Sequence, residues 1–201
     1  MDAQLAAIIV HDIKNALALL EAELREMTAA PDRERAAHAH GTCLLLQEKL
    51  IGFLTLYKAA SQGLAAQVDA QSPHDFLAAL IAQTGYRKAG VAVSIDERDM
   101  PAIAFFDENL VALALEAGLQ NAMRFARSHV VLGCRPEQGG IVFTIRDDGA
   151  GLGSGEETPS TGLGMNLCNV IAEAHGRAGR KGGATLADHP DGGALFELWL
   201  P

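Results

Sequence analysis

The stretch IVFTIRDDGAGLG (141–153) decides the fold, because it leads a strand into a glycine-rich turn with two aspartates. Residues 141–145 are β-branched and aromatic, which predicts a strand. An Asp-Gly pair after a strand is most often only a turn. The pattern Asp147, Gly149 and Gly151 also permits close backbone approach to a planar ring, and the Asp147 carboxylate can accept a hydrogen bond from an amino group such as that of adenine. The stretch therefore predicts either a tight turn or the base-binding side of a nucleotide site.

A second glycine motif lies downstream, in STGLGMNLCNVIAEAHG (160–176). Thr161, Gly162, Leu163 and Gly164 open a predicted helix over about 164–174. Glycines at a helix start let backbone N–H groups converge on a phosphate, with the helix dipole adding to the attraction. The spacing is neither that of a Walker loop nor that of a Rossmann fingerprint. This motif predicts a phosphate-binding turn, although alone it is weak evidence.

A third motif, LEAGLQNAMRFA (115–126), lies upstream in a predicted helix over 108–127. Asn121 stands among small and apolar residues, an unusual place for an amide. It is either bonded to a neighbouring loop or an oxygen ligand for a hard cation such as Mg²⁺, with Arg124 near the phosphates.

The surrounding sequence predicts a mixed α/β half. A link at 67–72 precedes a helix over 73–84, whose start is marked by Ser72 as N-cap and Pro73 at the first position. Helices packed on a sheet are the arrangement that this alternation favours. The predicted strands are VAVSI (91–95), AIAFF (102–106), VVLGC (130–134), IVFTI (141–145), ATL (184–186) and ALFELWL (194–200).

The first third of the chain predicts an antiparallel helical hairpin. Residues 2–28 carry apolar side chains at steps of three and four, and a break containing Pro31 separates them from a second helix over 34–61. The second helix has a dense apolar middle that two helices cannot bury between themselves. A dimeric four-helix bundle is the expected solution.

His11 lies on the first helix opposite its apolar stripe, with Asp12 beside it and Asn15 one turn later. A lone surface histidine is usually only solvated. A neighbouring carboxylate, however, can fix the ring tautomer, make the other nitrogen more nucleophilic and take its proton. Asn15 is placed to orient a water or a phosphoryl group.

Composition narrows the function. The 201 residues carry 16 Lys and Arg against 25 Asp and Glu, a formal charge of −9, which argues against nucleic acid as the main partner. The three cysteines (Cys43, Cys134, Cys168) form neither a disulfide framework nor a metal knuckle, so a reducing cytoplasm is expected. No apolar run reaches transmembrane length, and no membrane insertion is expected.

The ordered motifs resemble those of sensor histidine kinases of two-component systems. HDIKN (11–15) is similar to their phosphoacceptor box, QNAMRFA (120–126) to the N box, DDGAG (147–151) to G1 and TGLGMNL (161–167) to G2. HPDGGALFELWLP (189–201) is similar to the final hairpin of their ATP-binding fold. The resemblance implies an α+β chain: a dimerisation and phosphotransfer hairpin over 1–66, a linker over 67–72 and a Bergerat-type α/β sandwich over 73–201 that binds ATP and Mg²⁺.

The resemblance also implies roles for the candidate residues. His11 is the phosphorylated nucleophile, Asp12 its acid/base partner, and Asn15 a positioning residue that also serves in removing phosphate from the response regulator. Asn121 is the Mg²⁺ ligand and Asp147 the adenine reader. The remaining nucleotide contacts are Arg124, Gly149, Gly151, Thr161, Gly162, Leu163 and Gly164.

The chain departs from the family pattern at a few places, and these keep alternatives open. Ala117 stands four residues before Asn121, where an ATPase needs a carboxylate to activate water. Glu116 lies one residue before that position. The segment LGSGEETPS (152–160) predicts a short lid over ATP. No sensor precedes the hairpin, so an upstream sensory protein is expected to switch the chain, unless it is a fragment of a longer sensor.

The function expected is a cytoplasmic, homodimeric protein histidine kinase that phosphorylates His11 from ATP and passes the phosphoryl group to an aspartate of a response-regulator receiver domain. It is also expected to act as that regulator's phosphatase. The first alternative is a phosphotransfer or phosphatase protein with a little-used ATP site. The second is a serine kinase or ATPase on the same nucleotide fold, with Glu116 as its base.

Overall fold

The computed structural model describes residues 3–83, 90–152 and 162–201, and the chain divides into the units Met1–Gly63 and Leu64–Pro201. A helical N-terminal unit is followed by a unit with helices on a sheet, so the predicted α+β class is confirmed. Residues 153–160 of the predicted short lid lie outside the described residues, as does Thr161.

The N-terminal unit is a pair of helices, α1 (Ala3–Ala29) and α2 (Arg33–Gln62). Asp32 begins α2 because its carboxylate accepts a hydrogen bond from the backbone N–H of Arg35. Gly63 ends the helix with a φ of +81°, a conformation that glycine adopts without steric cost. The two predicted helices are therefore present within one or two residues of their expected ends.

The helix pair leaves much apolar surface uncovered. Ala39 and Leu56 are buried, but nine large hydrophobic residues of this unit have exposed fractions between 41% and 56%. Among the described helices, none is long and apolar enough to cross a lipid bilayer. The exposed residues are Val10, Leu17, Leu19, Leu24, Leu45, Leu50, Ile51, Leu54 and Tyr57.

The described residues of the second unit form a five-stranded sheet, a two-stranded ribbon and three helices. The sheet order is β2-β4-β5-β7-β6, in which β2 runs parallel to β4 and the other neighbours are antiparallel. Its elements in chain order are β1 (Asp69–Gln71), α3 (Pro73–Gln83), β2 (Ala92–Asp96), β3 (Ala104–Phe106), α4 (Glu108–Phe125), β4 (His129–Glu137), β5 (Gly140–Asp147), α5 (Leu163–Ala174), β6 (Gly183–Asp188) and β7 (Ala194–Leu200).

The helices pack against one face of the large sheet, where the core forms. Alternate residues of β7 (Ala194, Phe196, Leu198, Leu200) are buried, as expected for a strand covered on one side. Three phenylalanines from α3, β3 and β5 meet edge to face with ring centroids 5.0–5.8 Å apart, a favoured aromatic geometry. This core holds β5 and α4, the two elements that carry Asp147 and Asn121.

Buried His175 ties the end of α5 to the start of α4. Its Nε2 accepts a hydrogen bond from the backbone N–H of Asp107, and its Nδ1 donates to the carbonyl of Ile171. Burial lowers the pKa of His175, against the opposing effects of the Ile171 carbonyl and Asp107. The neutral ring thus satisfies two backbone groups, which is a structural role.

The segment predicted as a linker, 67–72, contains a short strand. Residues 69–71 form β1, which pairs antiparallel with β3 and places Ala70 opposite Phe105. The backbone N–H of Gln67 donates to the Asp107 carboxylate at 2.7 Å. A three-residue strand is too short to show alternation in the sequence. It forms because it pairs with β3, which lies more than 30 residues downstream.

Candidate functional site

Asp147 stands at the end of β5, in the middle of the sheet, with only 3% of its surface exposed. Its Oδ1 accepts hydrogen bonds from the backbone N–H groups of Gly149 (2.8 Å) and Ala194 (3.3 Å). Within the described part of the chain, no donor reaches Oδ2. The carboxylate is thus anchored through one oxygen, Oδ1.

The turn after Asp147 is held by two residues that were not among the predicted site residues, Asp188 and Gly193. Asp188 Oδ1 accepts a hydrogen bond from the Leu152 N–H, and a Cβ on Gly151, whose φ is +86°, would lie 2.6 Å from the same oxygen. Gly193, at the start of β7, lies directly against the Asp147 carbonyl. The glycine-rich HPDGG turn was the only signal in the sequence that a close backbone approach occurs there.

The second aspartate of the pair points toward the turn between α4 and β4. Asp148 Oδ1 accepts hydrogen bonds from the backbone N–H groups of Arg127, Ser128 and His129, and Oδ2 accepts one from the Ser128 hydroxyl. Partial burial raises the pKa of Asp148, but the hydrogen bonds from these residues outweigh it and hold the pKa well below its usual range. Asp148 therefore remains charged at neutral pH.

The N-terminus of α5 begins at a glycine in the left-handed conformation. Gly162 is its N-cap with a φ of +67°, and no side chain of the residues that the structure describes caps the first N–H groups, which include those of Leu163 and Gly164. A Cβ on Gly164 would lie 4.0 Å from the Ala117 side chain of α4. Free N–H groups and the positive end of the helix dipole at such a position favour phosphate.

Asn121 lies one helical turn after Ala117 on α4 and is half-buried. Its side chain makes no hydrogen bond within the part of the chain that the structure describes. An amide oxygen that accepts no hydrogen bond from the described residues, on the helix that flanks the α5 N-terminus, is a suitable hard ligand for Mg²⁺. Of the two interpretations left open by the sequence, the loop-bonded one is therefore not supported by the described contacts.

Arg124 lies one further turn along α4 and is exposed, with its guanidinium 5.5 Å from the centre of the Phe125 ring. This stacking holds part of the side chain against the helix end. The candidate residues that lie in the second unit are Asn121, Arg124, Asp147, Gly149, Gly151, Gly162, Leu163 and Gly164.

The other candidate residues lie in the hairpin, on α1. The imidazole of His11 is 69% exposed, and its Nδ1 lies 3.8 Å from the Asp12 carboxylate and 3.2 Å from Asn15 Nδ2. Nδ1 therefore faces the two predicted partners, and Nε2 is directed away from them. The Asn15 amide nitrogen can only donate, so in this rotamer Nδ1 is the acceptor of that contact.

The second unit has the architecture of the α/β sandwich class of nucleotide-binding domains, with a glycine-opened helix beside α4 and an aspartate at the end of a central strand. A sequence profile of the family of histidine kinase-, DNA gyrase B- and HSP90-like ATPases matches residues 106–201. Those residues are therefore similar to the domains of that family.

Comparisons over longer stretches relate the chain to sensor histidine kinases. It is 24% identical over 129 residues to the sensor histidine kinase CpxA of Escherichia coli K12, a match that covers 56% of this chain and 27% of CpxA. The chain thus matches about a quarter of the length of that relative. The resemblance predicted from the sequence is confirmed.

Solved structures give the same fold. The histidine kinase AdeS of Acinetobacter baumannii superposes with a TM-score of 0.72 at 17% identity, covering 94% of this chain and 96% of that one. The histidine kinase ThkA, solved in complex with the response regulator TrrA, gives 0.68 at 14% identity, covering 99% and 61%. At these identities the likeness establishes the fold.

Proposed function

We propose that the chain is an ATP-dependent protein histidine kinase that phosphorylates His11 and passes the phosphoryl group to an aspartate of a receiver domain. The observation that carries the proposal is the exposed His11 ring with its Nδ1 turned toward Asp12 and Asn15, in a chain whose residues 106–201 are similar to the domains of the histidine kinase-like ATPase family.

The geometry at His11 supports nucleophilic attack through Nε2. Attack through Nε2 requires the ring proton on Nδ1, so the Asn15 amide, whose Nδ2 faces Nδ1 at 3.2 Å, would turn its oxygen toward the ring, and the Asp12 carboxylate, 3.8 Å away, would move into hydrogen-bond reach. The N–P bond forms as the bond between the γ-phosphorus and its bridging oxygen breaks, and ADP leaves with that electron pair. The Nδ1 proton passes to Asp12 or to water.

The second unit supplies the binding and positioning of ATP. Asp147 Oδ2 would accept a hydrogen bond from the adenine amino group, while the N–H groups at the start of α5 would hold phosphate oxygens. Arg124 and the residues of the two glycine turns, Gly149 and Gly151, Gly162 and Gly164, would complete the contacts. Positioning of this kind contributes most of the rate in phosphoryl transfer.

We assign Mg²⁺ to the Asn121 amide oxygen. When bound, Mg²⁺ would neutralise charge on the ATP phosphates. Ala117 leaves the position one turn earlier on α4 without a carboxylate, so this helix offers no base there for water, which favours transfer to His11 over hydrolysis.

We further propose that the kinase is a cytoplasmic homodimer. The nine exposed hydrophobic residues of the hairpin would be buried in a four-helix bundle with a second copy. The three cysteines of the chain are unpaired, as in a reducing compartment. The complex of ThkA with TrrA supports a receiver domain as the phosphoryl acceptor. Asn15, next to the ring, is the residue that we assign to phosphatase action on that acceptor.

The proposal is tested by incubating the full chain with Mg²⁺ and γ-labelled ATP. We expect protein-bound label that is lost in acid and retained in base, because an N–P bond is acid-labile. The denatured protein is counted after each treatment. Absence of label, or label with the opposite stability, would contradict the kinase proposal, and acid-stable label would favour a serine kinase.

Replacement of Asp147 by asparagine should weaken Mg·ATP binding by about 30-fold. The amide keeps an oxygen for the Gly149 and Ala194 N–H groups but turns an NH₂ group toward the adenine amino group, so two donors face each other. Calorimetry with ATP and with inosine triphosphate, which has a carbonyl in place of the amino group, measures the effect.

The wild type should bind ATP more tightly than inosine triphosphate, and Asp147→Asn should lose most of that preference. Asp99→Asn, an exposed aspartate between β2 and β3, is the matched control and should bind like the wild type. Equal binding of ATP by Asp147→Asn and the wild type would rule out Asp147 as the adenine-binding residue.

A further inference from the structure

Asp148 joins two parts of the candidate site that are distant in sequence. Its carboxylate accepts hydrogen bonds from three consecutive backbone N–H groups, those of Arg127 (2.9 Å), Ser128 (3.1 Å) and His129 (3.2 Å), and from the Ser128 hydroxyl. Those residues link the end of α4 to the start of β4. A carboxylate that accepts several backbone N–H bonds makes charge-assisted contacts stronger than neutral ones.

The neighbouring Gly149 is docked on the same helix end. A Cβ at Gly149 would lie 2.6 Å from the Phe125 carbonyl oxygen and 2.7 Å from Asp147 Oδ1. Phe125 is the last residue of α4, and Asn121 lies one turn before it. Two consecutive residues of the segment 147–149 are therefore fastened there, Asp148 by hydrogen bonds to the α4–β4 turn and Gly149 by close packing on the last residue of α4.

We propose that Asp148 is a positioning residue for the nucleotide, which fixes the Asp147 end of β5 to the Asn121 end of α4. Its own carboxylate is occupied by the α4–β4 turn, so it acts through the Gly149 turn rather than by touching the ligand. This inference rests on the proposed ATP-binding function. Without the Asp148 bonds, the adenine side and the phosphate side of the site would no longer be held at a constant separation.

The test compares Asp148→Ala, Asp148→Asn and Ser128→Ala in the full chain, with Mg·ATP and Mg-free ADP as the calorimetric probes. We expect Asp148→Ala to raise the Kd of both nucleotides about tenfold. Asp148→Asn should stay within threefold of the wild type, because an amide oxygen still accepts the three backbone N–H groups. Ser128→Ala should raise the Kd about threefold. Asp99→Ala is the control and should bind normally.

A purely stabilising role predicts a different result. Asp148→Ala would then unfold at a lower temperature while its folded fraction bound both nucleotides with wild-type Kd, and this outcome would overturn the inference. Failure of the wild type to bind either nucleotide would overturn the proposed function and the inference with it. If Asp148→Ala does not fold, Ser128→Ala decides: a wild-type Kd and unchanged hydrogen exchange at residues 127–129 would overturn the inference.

Discussion

His11→Gln should carry no acid-labile label after incubation with Mg²⁺ and γ-labelled ATP, against clear labelling of the wild type. Glutamine preserves the length and polarity of an exposed helical residue, but its amide nitrogen has no lone pair with the nucleophilicity of imidazole. Because the ring is 69% exposed, its loss should leave folding intact. The expected reduction is therefore a complete loss of phosphorylation with unchanged ATP binding.

The matched control is His38→Gln. His38 is also an exposed histidine of the hairpin (74%), and it pairs with the Glu23 carboxylate at 2.8 Å, so it has an acidic neighbour as His11 does. We expect His38→Gln to be labelled like the wild type. Label that persists in His11→Gln, or that disappears in His38→Gln instead, would show that the phosphoacceptor has been misassigned.

The sequence was most informative where a local pattern determines the structure. The N-cap of α3, the glycines of both nucleotide motifs and the alternation of β7 were all readable, because propensity and periodicity act over a few residues. Strand β7 has the bounds that were predicted, 194–200, and the helices end within two residues of expectation.

The contacts between distant segments could not be read in the same way. Asp188 holds the Leu152 N–H from 36 residues away, and Asp148 holds Ser128 from 20 residues away. Neither aspartate belongs to a local pattern that distinguishes it from a solvated turn residue. Strand β1 was missed for the same reason, since its pairing with β3 supplies the only regularity it has.

The prediction of exposure for His11 shows what helical periodicity can and cannot provide. The wheel position correctly placed the ring away from the apolar stripe, because the stripe fixes which face packs. It did not give the approach of Asn15 to Nδ1 at 3.2 Å, which depends on the rotamers of two side chains. Roles that depend on such distances stay predictions until phosphorylation is measured.

The glycine pair that precedes β7 offers the sharpest test of the backbone contact at Asp147. Gly192 and Gly193 both have positive φ, +94° and +81°, so alanine at either position adopts the left-handed region at a cost of about 1–2 kcal/mol. A Cβ on Gly192 would meet nothing within 4 Å. A Cβ on Gly193 would lie 2.7 Å from the Asp147 carbonyl carbon and closer still to its oxygen.

Gly193→Ala should therefore lose about 3–5 kcal/mol of unfolding free energy and all measurable nucleotide binding, whereas Gly192→Ala should lose only about 1–2 kcal/mol and bind normally. The colliding atoms are backbone, so the strand carrying Asp147 must move rather than a side chain. Trp199 is the single tryptophan and lies on β7, so its fluorescence during urea unfolding reports this unit. Equal losses for the two variants would mean that β5 yields to the added methyl group. The close approach of Gly193 would then not be what holds Asp147 in place.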